Sequence, residues 1–304
     1  MKKMIYENVL SLIGNTPIVK INNLTSSGDA TVLAKLEEYN IGGSIKSVMA
    51  FHMIETAEKS GELTKDKVII EASSGNTGIA MAIIAAVKGY KVTIIIPESV
   101  SIERRKLIKA YGAKLILSPG ENGTDGATEM KKEILAKNPE KYADLDQFKN
   151  PANALAHYNV TGKEIIIQTE GKIDMVVMSI GTAGTGVGVS KYLKEYNPKI
   201  KVIGVMPEVG AKIQGLRNSQ ELNQTDLFQD DAFDEIIEIK KDLVSKTFDV
   251  SKLLAKKEGI LAGMSSGAAM YIALQKAKEL KNGKTVVVIL PDNGERYLST
   301  DLFE

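Results

Sequence analysis

Seven short apolar runs punctuate the chain: TVLAKL (31–36), KVIIEA (67–72), KVTIIIP (91–97), KLILSP (114–119), MVVMSIG (175–181), KVIGVMP (201–207) and TVVVILP (285–291). Val, Ile and Leu dominate each run, and helical patterns separate them. Near-continuous apolar strands between helices predict parallel sheets covered on both faces, which is the α/β class. Between about residues 118 and 165 the strand signal lapses, and the polar stretch DLDQFKNPANALAH (144–157) reads as a crossover between two sheet units. A domain boundary is expected there. No repeat of solenoid period and no low-complexity segment interrupts the pattern.

Three glycine-containing turns stand out against this background. After KVII the chain reads EASSGNTGIA (71–80) and then enters a helical pattern. The first N–H groups of a helix lack internal partners and carry the positive end of its dipole, so an anion is favoured there. Gly75 and Gly78 let a ligand approach the backbone, while Ser73, Ser74, Asn76 and Thr77 add side-chain donors. An ordinary N-cap needs only one such residue. The second turn, SIGTAGTGVGVSKYL (179–193), groups Gly181, Thr182, Ala183, Gly184 and Thr185. Its G-x-x-G-T pattern is not the dinucleotide G-x-G-x-x-G, and it lacks the lysine of a P-loop, so a single phosphate is the better match and a plain strand-to-helix turn the alternative. The third, LAGMSSGAAMYIAL (261–274), brings Ser265 and Ser266 into a helix of small residues. Each is expected at the carboxyl end of a strand, where open α/β sheets bind ligands. Together they suggest one phosphorylated ligand, carrying a substrate carboxylate, with several anchoring points.

Composition narrows the class further. The 304 residues are 43% hydrophobic and 25% charged, enough for a sizeable core and two domains. A net charge of +1, from 39 basic and 38 acidic residues, argues against nucleic acid or anionic membrane as partner. No stretch approaches the roughly 20 apolar residues of a membrane span. Glu7 and Asn8 stand where a signal peptide would need its apolar core, so the chain reads as cytoplasmic. Cysteine is absent, which excludes disulfides and cysteine ligands or nucleophiles. With His52 and His157 as the only histidines, a zinc site or histidine triad is poorly supplied, and no metal is expected.

Read together, the motifs resemble those of the cysteine synthase and cystathionine β-synthase family of fold-type II pyridoxal phosphate enzymes. The likeness runs nearly end to end: IGNTPIVKINNL (13–24), NIGGSIKS (40–47), SSGNTGIA (73–80), IPESVSIERRKLIKAYGAKLIL (96–117), QFKNPAN (147–153), GTAGTGVGVSKYLK (181–194), EGILAGMSSGAA (258–269) and LPDNGERYLSTDLF (290–303). The resemblance implies pyridoxal 5′-phosphate as cofactor. It implies Lys46 as the Schiff-base lysine and general base, Asn76 at the cofactor's 3′-oxygen, and Gly181, Thr182, Ala183, Gly184 and Thr185 at its phosphate. By the same likeness Ser265 faces the pyridine nitrogen, and Ser73, Ser74, Thr77 and Gln147 clamp the substrate α-carboxylate. A serine cannot hold that nitrogen protonated as a carboxylate would, which favours loss of a β-substituent over chemistry needing a long-lived carbanion. The implied architecture is a smaller mobile domain over 36–149, which carries the carboxylate turn. A larger domain, built from 1–35 plus 150–304, carries the phosphate and pyridine sites. A homodimer acting on small amino acids is implied as well.

The implied reaction is β-replacement through aminoacrylate, and departures from the family pattern bear on its specificity. Ser47 and Val48 follow the lysine where an acidic or small residue and arginine are usual, Ile41 replaces a proline, and Ser73 a threonine. After KIQG, a glycine-rich segment gives way to LRNSQELNQTDLFQDDAFDE (216–235). One reading is a surface insertion. The other is an anchor for a second amino acid, whose ammonium and carboxylate need partners that Arg217, Asn218 and Ser219, with Glu221, Asp230 or Asp231, could supply. On that charge argument the preferred expectation is splitting of L-cysteine, with release of hydrogen sulfide and formation of L-lanthionine from a second cysteine. O-acetylserine sulfhydrylase is the alternative, followed by cysteine hydroxyl lyase or cystathionine β-synthase chemistry. An inactive binding or regulatory relative is the remaining class. The roles of Lys149 and His157 stay open, with a structural or surface place expected for His157.

Overall fold

The computed structural model describes residues 5–304. In chain order the strands are β1 Ile18–Lys20, β2 Thr31–Leu36, β3 Val68–Ala72, β4 Lys91–Pro97, β5 Lys114–Ser118, β6 Tyr142–Asp144, β7 Met175–Ser179, β8 Lys201–Pro207, β9 Glu235–Ile239 and β10 Thr285–Leu290. The helices are α1 Lys46–Ser60, α2 Asn76–Lys88, α3 Ile102–Ala110, α4 Gly123–Lys137, α5 Pro151–His157, α6 Lys163–Thr169, α7 Gly184–Tyr196, α8 Ser219–Leu222, α9 Val244–Leu253 and α10 Met264–Leu280. All seven apolar runs form strands. The three strands that the pattern did not announce are short or polar. β1 is a three-residue antiparallel edge, β6 is three residues long, and β9 is an edge strand with sequence EIIEI.

The chain divides into two units. One contains the described residues up to Asn15 together with Asn40–Gln147; the other contains Thr16–Tyr39 and Phe148–Glu304. The boundaries expected from sequence lie at 36 and 149, with all of 1–35 in the larger domain; residues 1–4 of that range lie outside the described residues. In the first unit a parallel four-stranded sheet has the order β5-β4-β3-β6. Helix α2 is buried along Thr77–Ala85, as expected of a helix apolar on every side. Ile70, Ala72, Ile95 and Ala127 form a core cluster there.

In the second unit a six-stranded sheet runs β1-β2-β10-β7-β8-β9, parallel except for β1 against β2. Its core includes Val32, Val177, Val205, Val286 and Val288 together with one side of α10. Asp234 ties the start of β8 to the loop before β9. It accepts hydrogen bonds from Lys194 Nζ at 2.6 Å, Lys201 Nζ at 3.0 Å and the Val202 N–H at 2.8 Å. Partial desolvation raises its pKa, but these bonds outweigh it and hold the carboxyl down at about 2. A depressed carboxylate pKa stabilises the fold above its unfolded value, and that stability is lost as pH falls through the folded one. Asp234→Asn is therefore expected to lower the urea midpoint at pH 7 relative to the parent, with the gap shrinking as pH falls from about 4 toward 2. A gap constant over that range would contradict this.

Candidate active site

Two groups of side chains, one in each unit, contain the residues singled out by sequence. In the first unit, Lys46 is the first residue of α1 and is half-buried. The segment before it turns through Gly42 and Gly43, both at positive φ. It lies against α2 so closely that a Cβ on Gly42 would stand 2.7 Å from Ile83 Cδ1. Ser47 is fully buried and its hydroxyl donates to the Ile41 carbonyl, while Val48 is part of the core. The residues that depart from the family pattern therefore serve to close this segment. Ser44 Oγ, two residues before Lys46, is buried without a hydrogen-bond partner among the described residues.

The turn between β3 and α2 is built by its own side chains. Ser73 Oγ accepts the N–H groups of Gly75 at 2.9 Å and Gly78 at 3.2 Å, which occupies both lone pairs and leaves its O–H as a donor. Gly75 has φ +129°, a conformation that an L side chain resists, and a Cβ there would stand 2.3 Å from Arg104 Cδ. Ser74 is exposed and Asn76 half-buried at the first position of α2. Thr77 donates to Gln147 Oε1 at 2.6 Å, and Gln147 Nε2 donates to the Ala72 carbonyl at 2.9 Å. Two residues paired only by resemblance, Thr77 and Gln147, are thus in direct contact.

In the second unit, β7 leads through residues 180–183 into α7. Ala183 takes the left-handed conformation at φ +69°. Thr182 Oγ1 accepts from Asn153 Nδ2 at 3.0 Å and lies 3.4 Å from the Gly184 N–H. A Cβ on Gly184 would come within 2.1 Å of the Asn153 side chain, and one on Gly181 within 2.6 Å of the Gly215 carbonyl oxygen. His157, fully buried, lies between Thr161 Oγ1, 3.0 Å from Nδ1, and Thr185 Oγ1, 3.1 Å from Nε2. For Thr185 to donate its proton to an anion, Nε2 must carry the imidazole hydrogen and Nδ1 must accept from Thr161. A cradle of N–H groups and hydroxyls at a helix N-terminus, with no carboxylate in residues 181–185, can take a phosphate.

Ser265, the second residue of α10, is buried. A Cβ on Gly215 would stand 3.8 Å from its hydroxyl, so the 214–217 segment lies beside both Ser265 and the cradle. The Arg217 N–H donates to the Ile180 carbonyl at 3.0 Å. Its guanidinium lies 3.9 Å from the Phe148 ring centroid, and Nη1 donates to the Glu221 carbonyl at 3.3 Å. Asn218 and Glu221 cap α8 reciprocally, and Asp230 and Asp231 are exposed. Lys149 stands 3.7 Å from Asp226 at the surface. Sequence reasoning passed over Asn153 and left His157 open. Their spacing of four, on a helix begun by the capping Asn150, is the signal that places them on one face.

The sequence matches the family described as pyridoxal-phosphate dependent enzyme over residues 9–292. A cysteine synthase from Staphylococcus aureus strain N315 is 44% identical over 305 residues, covering 98% of this chain and 97% of the relative. Among solved structures, a cysteine synthase (OASS) from Entamoeba histolytica has a TM-score of 0.91 at 40% identity, over 100% of this chain and 92% of its own. A hydrogen sulfide-producing enzyme from Fusobacterium nucleatum has a TM-score of 0.90 at 40% identity, over 98% of this chain and 99% of its own.

Proposed function

This chain belongs to the pyridoxal-phosphate dependent enzyme family, in its cysteine synthase group, and from that premise we propose that it forms L-cysteine by exchanging the β-substituent of an O-acylated serine for sulfide. It is a pyridoxal-phosphate dependent β-replacing enzyme of sulfur amino-acid metabolism. The residues present fit the cofactor. A close-packed glycine turn of donors suits its phosphate, and Ser44 Oγ, a buried polar atom without a partner among the described residues, stands two residues before the half-buried Lys46. When bound, the cofactor supplies an electron sink for the substrate's α-carbon.

The chain's own groups divide the remaining work. Lys46 would hold the cofactor covalently, remove the α-proton once displaced by the substrate amine, and return it after the nucleophile adds. Asn76 would orient the ring, and Ser265 would face its nitrogen as a neutral donor or acceptor. Gly181, Thr182, Ala183, Gly184 and Thr185 would hold the phosphate, and Ser73, Ser74, Thr77 and Gln147 would receive the α-carboxylate. We take the protein as a cytoplasmic homodimer, to be checked by light scattering of the purified enzyme.

One observation carries the choice of sulfide as nucleophile. The cation that a second amino acid's carboxylate would need, Arg217, is already engaged with Phe148 and the Glu221 carbonyl, and Asn218 and Glu221 are engaged with each other, which leaves the exposed carboxylates Asp230 and Asp231 without a matching cation in the set. Sulfide needs no ammonium or carboxylate partner. The second reading is cysteine splitting with hydrogen sulfide release and lanthionine formation; the similarity to the Fusobacterium nucleatum enzyme supports its sulfide release alone. The deciding assay compares O-acetylserine plus sulfide with L-cysteine alone, with products identified by mass. Faster cysteine synthesis supports the proposal; faster sulfide release with a thioether product supports the second reading.

Two variants extend the test. Arg217→Ala is expected to leave both half-reactions intact while losing about 0.5–1 kcal/mol of cation–π stabilisation. A selective loss of the second half-reaction with cysteine would return Arg217 to substrate binding. His157→Leu removes the partner of Thr185 and is expected to weaken cofactor retention by up to about tenfold, from a net hydrogen-bond contribution of roughly 0.5–1.5 kcal/mol. Dialysis followed by absorbance of the bound cofactor reads the change, and unchanged retention would make His157 a packing residue only.

A further inference from the structure

Directly behind the turn that follows β3 lies a carboxylate with no role in the chemistry above. Glu71, the fourth residue of β3, is fully buried. Its Oε1 accepts the Ala72 N–H at 3.0 Å, and its Oε2 accepts the Gln147 N–H at 3.3 Å. Lys131 of α4, itself buried, places Nζ 3.7 Å from Glu71 Oε1 and 2.7 Å from Asp144 Oδ1. Burying a carboxylate in a sheet is costly unless it is paired and hydrogen-bonded, and an apolar residue would serve packing alone equally well. Lys131 already has Asp144 as its close partner, so neutralising that lysine does not account for Glu71.

What distinguishes Glu71 is the chain of bonds that starts from it. Holding the Gln147 backbone places the Gln147 amide, whose Nε2 reaches the Ala72 carbonyl and whose Oε1 receives the Thr77 hydroxyl. Ala72 is thus gripped twice, through its N–H by Glu71 and through its carbonyl by Gln147, immediately before Ser73. We propose that Glu71, paired with Lys131, is a positioning residue that fixes the Gln147 amide and, through the Thr77 hydroxyl bonded to it, the first turn of α2, which together receive the α-carboxylate of an amino-acid substrate. This rests on the β-replacement reading, in which that turn binds the carboxylate.

The surroundings give the device a pH dependence. Burial pushes the Glu71 carboxyl up to about 7, against the attraction of Lys131 and with further upward pressure from Asp144 and Asp146. Lys131 faces it from α4, and Asp144 and Asp146 from the end of β6, while β4 sets apolar Ile94 opposite it in register. With Lys131 and the Ala72 N–H both at Oε1, a proton taken up by Glu71 is placed on Oε2, which then donates and no longer suits the Gln147 N–H. The grip on Gln147 therefore loosens as pH falls through about 7.

The test uses the full-length, cofactor-loaded parent together with Glu71→Gln and Lys131→Met. Covalent cofactor attachment is expected to stay at the parent level in both. In Glu71→Gln, binding of L-alanine, read by cofactor absorbance, should weaken about tenfold. KM for the amino-acid substrate should rise in step while kcat stays within about twofold. The parent's tightening between pH 6 and 8 should flatten in Glu71→Gln and shift to higher pH in Lys131→Met. Hydrogen exchange over residues 144–148 should quicken in Glu71→Gln. Parental affinity with the parental pH profile in Glu71→Gln overturns the proposal, as does a fall in kcat with KM unchanged. Should Glu71→Gln not fold, Glu71→Asp keeps the charge and shortens the reach: weakened affinity with the pH profile retained supports positioning, and parental affinity overturns it. A parent protein that binds no amino acid refutes the β-replacement reading instead. The exchange data then decide, and unchanged exchange over 144–148 overturns the positioning of Gln147.

Discussion

Lys46→Ala is expected to lose about 10⁴-fold in turnover, the upper range for removal of a positioned general base. The same substitution should abolish covalent cofactor attachment, read as loss of the borohydride-fixed mass on the peptide containing residue 46. The fold should survive, because the segment has supports besides Lys46: Ser47 on the Ile41 carbonyl, Val48 in the core, and Gly42 close against Ile83. Cofactor should still associate reversibly, since the 181–185 cradle has supports within its own unit, Asn153 on Thr182 and His157 on Thr185. Addition of a small primary amine should restore a measurable part of the proton transfer. A variant that retains covalent cofactor, or turns over within tenfold of the parent, would remove Lys46 from the assigned role.

Gly181→Ala is expected to weaken cofactor binding by about tenfold to hundredfold, the equivalent of 1–3 kcal/mol of overpacking. The new Cβ would meet the Gly215 carbonyl oxygen at 2.6 Å, and a backbone atom cannot rotate away as a side chain can. Either the cradle or the 215 segment must move. The latter is fastened by the Arg217 N–H to the Ile180 carbonyl, and Gly215 lies beside Ser265. Displacement is therefore expected to reach the groups assigned to both the phosphate and the ring nitrogen. Titration of cofactor into the unloaded protein measures the effect, and thermal unfolding of the same samples separates it from global destabilisation. Parental affinity would show that the 215 segment yields without consequence.

Much of this protein was legible along the chain because the relevant physics is local. A run such as KVTIIIP, buried on both faces, forms strand β4 as predicted. The turns at 73–77 and 181–185 are expected to take an anion from residues that are neighbours in sequence, since a helix N-terminus supplies its own donors, and the structure places each at the start of a helix, α2 and α7. The departure at Ser47 and Val48 was visible as a departure but not as a solution, because the Ile41 carbonyl and the core around Val48 are revealed only by folding. Short or polar edge strands β1, β6 and β9 escaped detection, as their pairing comes from the neighbouring strand rather than from their own pattern.

Apart from Thr77 and Gln147, which the family likeness already grouped, only the tertiary structure decided which distant side chains act together. Glu71 meets the Gln147 N–H across 76 positions, Thr77 meets Gln147 across 70, and His157 meets Thr185 across 28. It also closed Asn218 and Glu221 on each other and set Arg217 against Phe148, which weakens the charge argument for anchoring a second amino acid. Composition and spacing determine where backbone donors gather, because that depends on the nearest few residues. The orientation of a buried amide, imidazole or carboxylate depends on whatever the fold brings against it, and a lone polar side chain in a sequence carries no mark of that partner.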